Sequence, residues 1–346
     1  MPKRTKKPKK VKTTLWQGPC NKSTQGGVTQ SLIGRFLVCR ERFRVLVVEG
    51  LEPDSGFRHQ LEYGNMWHVC EEYHAKHEDC IPPLIKLVQR LAKDYPIERE
   101  KIEHWYNVCK VQFPAYIKFW KKHPDVKNRT TLYQEQVFNV AYKLPSGRTV
   151  YLRGKWDGVD YIGPAKKQRV FLQENKTKGD INEEQMVKQL GFDLQTMFYL
   201  TTLKLWLAKT VPDHPPIAGA RYNVIRRPLS GGKGSIRRHK PSKSKPQGES
   251  KEEFYDRVRG IIEDDPKHFF MRWQVIITGA DIQRFEKRFL IPVLEQLCDW
   301  WHGMECGGDP FTVGTNHWQH PYGIYNSLNE GRATHLDDYL SNGSTL

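Results

Sequence analysis

The sequence predicts an α+β protein in which helices pack on a mixed sheet. Two observations predict this class. The hydrophobic pattern has helical spacing over the first third of the chain, up to Lys122, and then changes to extended segments separated by turn signals. The segments that follow read strand–strand–strand–helix–strand, so that the core, with the last helix of the first third, has the order α-β-β-β-α-β.

Helices are expected in the first third at residues 31–51, 57–80, 81–95 and 98–122. The second has the clearest apolar face, formed by Leu61, Trp67, Cys70 and Tyr73. The double proline at 82–83 stops that helix and begins the third, because proline is tolerated in the first turn of a helix.

Strands are expected at residues 136–144, 149–162 and 169–175. Turn signals at 145–147 and 164–167 connect them into an antiparallel meander. One long helix at 182–208 and a strand at 220–226 complete the core. After a segment rich in Gly, Ser, Pro and Lys, two further helices are expected at 253–262 and 282–301, with a strand at 268–278 between them.

The net charge of +16 is concentrated in two segments. Residues 1–13 contain seven basic side chains and no acid, and residues 226–251 contain nine basic side chains and one acid, Glu249. The rest of the chain is nearly neutral. Basic segments of this kind suit a nucleic acid, because neutralised phosphates release counterions. The alternatives are solubility tails or, for PKRTKKPKK, an address similar to a nuclear-import signal.

Several classes are excluded by composition. No segment reaches the roughly 18–20 apolar residues that span a bilayer. The basic N-terminal segment has no apolar stretch behind it, so it does not resemble a secretory signal. Seven cysteines without a C-x-x-C pair predict free thiols and a reducing, cytoplasmic compartment.

Polar side chains inside the central strands mark a candidate site. Asp157 lies near the end of one expected strand, and Glu174 and Lys176 lie near the end of the next, on one face of it. Two adjacent carboxylates favour a hard divalent cation such as Mg²⁺ or Mn²⁺. A lysine beside that ion can orient or deprotonate water or stabilise negative charge, as phosphodiester hydrolysis requires. The alternative is a surface strand with a Glu–Lys pair and an unrelated aspartate.

The segments GKWD, ENK and QTMFY resemble three motifs of RecB-like nucleases, which belong to the PD-(D/E)xK superfamily. Upstream, GNMWH resembles the G-x-x-x-H motif of that family, and SLIGRFLVCRERFRVLVVEGL is similar to its N-terminal helix. The resemblance covers about residues 28–227. The layout of residues 220–273 is similar to that of phage-encoded members.

The resemblance implies a restriction-endonuclease-like core and a metal-dependent site. It implies that His68, Asp157 and Glu174 ligate Mg²⁺ or Mn²⁺, with help from the backbone carbonyl of Asn175. Lys176 would be the catalytic lysine.

The resemblance assigns a further pair to the helix behind the site. Gln195 and Tyr199, one helical turn apart, would shape the site or contact the nucleic-acid strand. Taken singly, each has an ordinary structural explanation, such as a half-buried helix histidine for His68 or a core tyrosine for Tyr199.

The positions of the cysteines and histidines bear on two other kinds of metal centre. Some relatives hold an iron–sulfur cluster on four cysteines, but Cys298 and Cys306 are followed by no third cysteine, which disfavours a four-thiolate cluster. A zinc site on one helical face is an alternative use of the segment CEEYHAKHEDC; its ligands would be Cys70, His74, His77 and Cys80.

The resulting hypothesis is a Mg²⁺-dependent deoxyribonuclease that hydrolyses phosphodiester bonds, as an exonuclease on DNA ends or single strands. The alternative is a non-catalytic nucleic-acid-binding protein that retains the nuclease fold. DNA is the expected partner, any recombination or replication partner is unidentified, no membrane is involved, and the expected location is the cytoplasm, that of the host if a phage encodes the chain. The expected division is a disordered basic tail at 1–14, the nuclease core at 15–227, a flexible basic insertion at 228–252 and a C-terminal extension at 253–346.

Overall fold

The computed structural model describes residues 16–50, 56–121, 123, 128–179, 181–190, 193–228, 236–241 and 246–306. The expected basic tail at 1–14, parts of the basic insertion and the segment after Cys306 lie outside the described residues. The described chain falls into two compact units. One comprises the described residues within 1–55, 138–154 and 284–346, and the other comprises the described residues within 56–137 and 155–283.

Helices fill the described part of the first third. They are α1 (Gln30–Val38), α2 (Arg40–Phe43), which continues as a π-helix (Arg44–Val48), α3 (His59–Ala75), α4 (Ile81–Asp94) and α5 (Arg99–Trp120). The double proline begins α4 as expected, because its missing N–H groups fall where a helix leaves donors unpaired. On α3, Trp67 and Cys70 are buried as predicted. The prediction is wrong for Leu61, which is 56% exposed, and Tyr63 and Met66 are buried instead.

The central sheet has five strands in the spatial order β1-β2-β3-β4-β5. These are β1 (Arg129–Lys143), β2 (Thr149–Ile162), β3 (Arg169–Lys178), β4 (Ile217–Arg226) and β5 (Phe270–Ile276). β2 and β3 are antiparallel, β3 and β4 are parallel, and β4 and β5 are antiparallel. The mixed sheet and its helices confirm the α+β prediction. The turn before β2 contains Gly147 with φ of 86°, a conformation that glycine adopts without steric cost.

The helix expected at 182–208 is in fact two helices, so that prediction is wrong. These are α6 (Glu183–Leu190) and α7 (Leu194–Thr210). Asp193 precedes α7 with extended backbone, and its carboxylate accepts hydrogen bonds from the amide (2.9 Å) and hydroxyl (2.8 Å) of Thr196. This N-cap begins a new helix inside a stretch whose apolar pattern looks continuous.

The remaining helices follow the sheet. They are α8 (Lys251–Asp264), α9 (Pro266–Phe269), α10 (Gly279–Phe285), which continues as a π-helix (Glu286–Leu290), and α11 (Ile291–Glu305). The expected helices and the strand between them are therefore present, although the last helix is interrupted. Among the described residues, no helix is long and apolar enough to cross a membrane.

Each unit has its own buried core. In the unit that contains residues 56–137 and 155–283, α3, α4, α5 and α8 bury a cluster around Trp67, Trp105 and Tyr116. In the other unit, Trp16, Phe36, Phe43, Trp300 and Trp301 form edge-to-face ring contacts with centroids 4.9–5.7 Å apart. All seven cysteines are free thiols.

Candidate active site

Two strands bring the central polar residues together. Gly158 of β2 pairs with Gln173 of β3, so the next step of this antiparallel register sets Asp157 beside Glu174. Asp157 is 8% exposed and Glu174 is fully buried. Burial is costly for carboxylates unless charge or hydrogen bonds compensate them.

Glu174 forms a closed triangle with two other predicted site residues. Its Oε2 accepts hydrogen bonds from Lys176 Nζ (3.0 Å) and from Gln195 Nε2 (3.0 Å), and Lys176 Nζ also donates to Gln195 Oε1 (2.9 Å). The other oxygen, Glu174 Oε1, is buried and has no hydrogen-bond partner within the described part of the chain. A buried carboxylate oxygen without a donor is a fitting ligand for a cation.

The electrostatics of this triangle keep the lysine charged. Burial raises the pKa of Glu174, the charge of Lys176 opposes that shift, and the neighbouring Asp157 adds to it. Burial acts to lower the pKa of Lys176, but the charges of Glu174 and Asp157 outweigh it, so the pKa of the amine is raised. Lys176 is therefore an ammonium ion at neutral pH and is suited to stabilise negative charge.

A second cluster lies on the other side of Asp157. His68 Nδ1, on α3, is 3.1 Å from Glu135 Oε1 and 3.8 Å from Asp157 Oδ1. The potential ligand atoms of these three residues all lie within 4.8 Å of one another, which no other group of three such residues achieves in the described chain. An imidazole and two carboxylates are a donor set that fits a divalent cation.

The histidine carries a proton when no cation is bound. Burial disfavours the charged ring, yet the hydrogen bond to Glu135 and the charge of Asp157 raise the pKa of His68 to about 8. The pKa of Glu135 is lowered by the same contact, against the effect of burial. The two shifts describe one ion pair, in which the proton occupies the place that a metal ion would take.

Glu135 was not predicted from the sequence. Its backbone has φ of 48°, a conformation that costs about 1–3 kcal/mol for a residue other than glycine and that persists where the surroundings enforce it. Lys155 pairs with its second oxygen. The only signal in the sequence is an acidic residue at the start of a strand-like segment, just before the expected strand at 136–144.

The helix behind the site carries the predicted pair. Gln195 lies in the first turn of α7, next to the Asp193 cap, and holds both Glu174 and Lys176. Tyr199, one turn further on, is 9% exposed. Burial and the charges of Glu174 and Asp157 raise its pKa, so that its hydroxyl stays protonated.

Asn175 points to the opposite side of β3 from Glu174, because side chains alternate along a strand. Its backbone N–H donates to Asp157 Oδ2 (2.8 Å), and its side-chain Oδ1 accepts a hydrogen bond from Asn223 Nδ2 (3.0 Å). Asn223 Nδ2 also donates to the Tyr116 hydroxyl (3.0 Å), and Arg272 Nε donates to Asn223 Oδ1. This buried network fixes the strand from behind. That the carbonyl of Asn175 ligates metal stays a prediction.

The four residues of the alternative zinc site do not lie on one helical face. α3 ends at Ala75, so that His77 and Cys80 lie beyond the helix, and His77 has φ of 60°. Cys70 Sγ is instead 3.6 Å from Cys109 Sγ in the helical core. Cys70 also contacts Cys80, but no three of the four residues lie at ligand distance from one another in the described chain.

The sequence model of the PD-(D/E)XK nuclease superfamily matches residues 28–284, which include all the residues of both clusters. The chain belongs to the PD-(D/E)XK nuclease superfamily. It is a hydrolase of nucleic acids, and nucleases of this superfamily use divalent metals. A search of curated proteins found no match to the nuclease.

Proposed function

We propose that the protein is a Mg²⁺-dependent deoxyribonuclease, a RecB-like member of the phage type that acts as an exonuclease on DNA ends or single strands. The observation that carries this proposal is the junction of the two clusters at Asp157. A buried acidic pair with a charged lysine adjoins a His–Glu–Asp group of ligand geometry.

In this proposal His68, Asp157 and Glu174, with Glu135 and the carbonyl of Asn175, hold Mg²⁺ or Mn²⁺. When bound, such an ion supplies Lewis-acid stabilisation of the charge that develops on the phosphoryl oxygens. On binding such an ion, His68 would lose its proton, and the free oxygen of Glu174 would be a further ligand.

Lys176 orients the attacking water and stabilises the negative charge at phosphorus. Gln195 supports this role because its amide oxygen holds the ammonium group and its amide nitrogen holds Glu174, which fixes their separation. Tyr199 shapes the wall of the site. The basic segments at 1–13 and 226–251 add affinity for DNA without reading sequence. The proposed location is the cytoplasm, that of the host if a phage encodes the chain.

The test is cleavage of linear duplex, circular and single-stranded DNA by the purified protein in Mg²⁺, in Mn²⁺ and in EDTA. We expect degradation of linear and single-stranded DNA that EDTA stops, with circular duplex left intact. Nicking of circular DNA would make the enzyme an endonuclease. Binding without degradation in either metal would favour the non-catalytic alternative.

The matched variants are Lys176→Ala and Lys178→Ala, which lie on the same face of β3. Lys178 is exposed and Lys176 is held by Glu174. We expect Lys176→Ala to lower the cleavage rate about 10³-fold, because it removes a charge that stabilises the transition state. Lys178→Ala should cleave within about twofold of the wild type. Equal rates for the two variants would refute the role of Lys176.

A further inference from the structure

A cavity of about 620 Å³ opens between the N-terminal part of α5, the start of α8 and residues 236–238. It lies among the residues of the larger unit and is separate from the acidic clusters. Its lining carries four cations against two acids, together with aromatic rings: Lys101, Arg237, Arg238 and Lys251; Glu100 and Glu103; His104, Phe254 and Tyr255.

Residues 236–238 of the basic insertion line this cavity because the acid Glu249 anchors them. Glu249 accepts hydrogen bonds from Arg257 Nε (2.6 Å) and Nη2 (2.8 Å), and from the amide of His239 (2.8 Å). Arg257 Nη2 also donates to the carbonyl of Arg237 (2.8 Å), and Arg238 Nε donates to the carbonyl of Glu249. The backbone at 237–239 is therefore held against α8, although the sequence predicts a flexible insertion here.

The charges in the cavity favour an anion. Lys101 pairs with Glu98 (2.7 Å) and Lys251 pairs with Glu103 (3.4 Å), which are exposed pairs of small energy that a phosphate can replace. Arg237 is exposed, and no acid of the described chain forms an ion pair with it. Its planar guanidinium suits a phosphodiester group.

Aromatic rings complete the lining. His104 Nδ1 is 2.8 Å from the Tyr255 hydroxyl, and the His104 ring stacks on Phe254 with an interplanar angle of 19°. Cations beside fixed aromatic rings are the combination on which nucleic-acid strands bind, since phosphates pair with the former and bases stack on the latter.

Helix α3 connects this cavity to the catalytic centre. His68 lies in the centre, and nine residues earlier His59 stacks on Trp105 at 5.5 Å, which in turn contacts His104 at 5.7 Å. Nine helical residues rise about 14 Å, so the cavity is within about 25 Å of His68, or about seven base pairs of 3.4 Å.

We propose that this cavity, called the 237 pocket, is a second DNA-binding site that holds the substrate backbone, with a stacked base, at most about seven nucleotides from the scissile phosphate. The proposal rests on the proposed nuclease function. In this proposal, Arg237 of the basic insertion contacts DNA from a fixed position, in addition to any general electrostatic attraction.

The test is the binding of fluorescein-labelled single-stranded DNA of 4 and 20 nucleotides, and of a 20-base-pair duplex, to the full chain in EDTA. We expect Arg237→Ala to weaken binding of both 20-mers about tenfold and to lower the slope of log K against log salt by about 1. Binding of the 4-mer, which is too short to occupy both sites at once, should weaken less than that of the 20-mers. Arg90→Ala, which removes an exposed arginine of α4 outside the pocket, is the matched control and should leave all three affinities within twofold.

Glu249→Ala separates a fixed pocket from simple charge attraction. If only charge matters, the loss of this acid should strengthen DNA binding. If Arg237 must be held in place, the loss of the Glu249 anchor should weaken 20-mer binding several-fold. Tighter binding by Glu249→Ala, or wild-type affinity in Arg237→Ala, overturns the pocket. Neither result affects the nuclease assignment, which is tested by cleavage in Mg²⁺; an inactive wild type would refute that assignment whatever the binding data.

Discussion

The two sides of strand β3 carry buried polar clusters of opposite character. On one side, Glu174 and Lys176 face Asp157, and one oxygen of Glu174 has no partner among the described residues. On the other side, Asn175 and Asn223 form a network of amide, phenol and guanidinium groups at hydrogen-bond distance. The first side is charged and incompletely satisfied, whereas the second is connected and holds the strand in place. The charged side and the supporting side are thus separated by a single step along the strand.

The largest effect is expected from neutralising the charged side. Glu174→Gln keeps the shape of the side chain but removes a carboxylate proposed to bind metal, so we expect cleavage to fall about 10³-fold or more. Burial makes the ionised form of Glu174 costly, whereas its pairing with Lys176 favours that form, so the variant should unfold close to the wild-type temperature at pH 8. Paired cleavage assays and thermal unfolding check both expectations.

Glu183→Gln, an exposed glutamate of α6, is the matched control and should change neither quantity. A Glu174→Gln protein that is markedly less stable at pH 8 would place Glu174 with the supporting residues instead.

The supporting side should respond in the opposite way. Asn223→Ala removes the partner of Asn175 and of the Tyr116 hydroxyl, both buried, and should lower the free energy of unfolding by about 2–3 kcal/mol. We expect metal affinity to weaken about tenfold, because outer partners orient the ligands, with a smaller loss of kcat at saturating metal.

Denaturant unfolding and calorimetric titration with Mn²⁺ measure these two effects. Asn139→Ala, at an exposed asparagine, is the control and should cost less than about 0.5 kcal/mol. A variant as stable as the wild type would show that the network is not structural.

A smaller effect is expected from pH, in protein free of metal. The folded pKa of His68 is raised to about 8 from 6.5, so the stability that its proton confers is present below pH 6.5 and is lost as the pH rises through 8. The pKa of Glu174 is also raised, so this group too makes the folded protein less stable as the pH rises above the ordinary pKa of a glutamate. After allowance for solvent screening, we expect about 1 kcal/mol from His68.

Thermal unfolding in EDTA at pH 6.5 and 8.5 measures this loss, and Mg²⁺ or Mn²⁺ should restore more stability at the higher pH because no proton then competes. His68→Gln should flatten the profile, whereas His302→Gln, an exposed histidine of α11, should not. A metal-free protein equally stable at both values would contradict the charged His68.

The sequence predicted what depends on local pattern. The bounds of β2 are the predicted ones, and those of α5 and β3 are close to them, because hydrophobic period and turn residues are local signals. Asp157, Glu174 and Lys176 stand out in the sequence because charged side chains inside strands demand an explanation. Their roles as metal ligands and catalytic lysine stay predictions, as do the domain boundaries.

What the sequence could not provide depends on contacts between distant segments. Asn223 contacts Asn175 across the parallel pair of β3 and β4 and reaches Tyr116 on a helix more than a hundred residues earlier. Glu135 enters the site through an unusual backbone angle that no residue pattern encodes. Leu61 fits the apolar period of α3, yet its side chain is exposed, because larger aromatic side chains occupy the buried face of that helix.

The Asp193 cap fixes the residue at which α7 begins, and therefore the direction in which each of its side chains points. Each residue added to or removed from a helix rotates the next side chain by about 100°, which would swing Gln195 away from Glu174 and Lys176. Because α7 begins afresh at Leu194, the angular position of Gln195 is counted from Asp193 and not from α6. A change in the length of α6 would therefore leave the orientation of Gln195 unchanged.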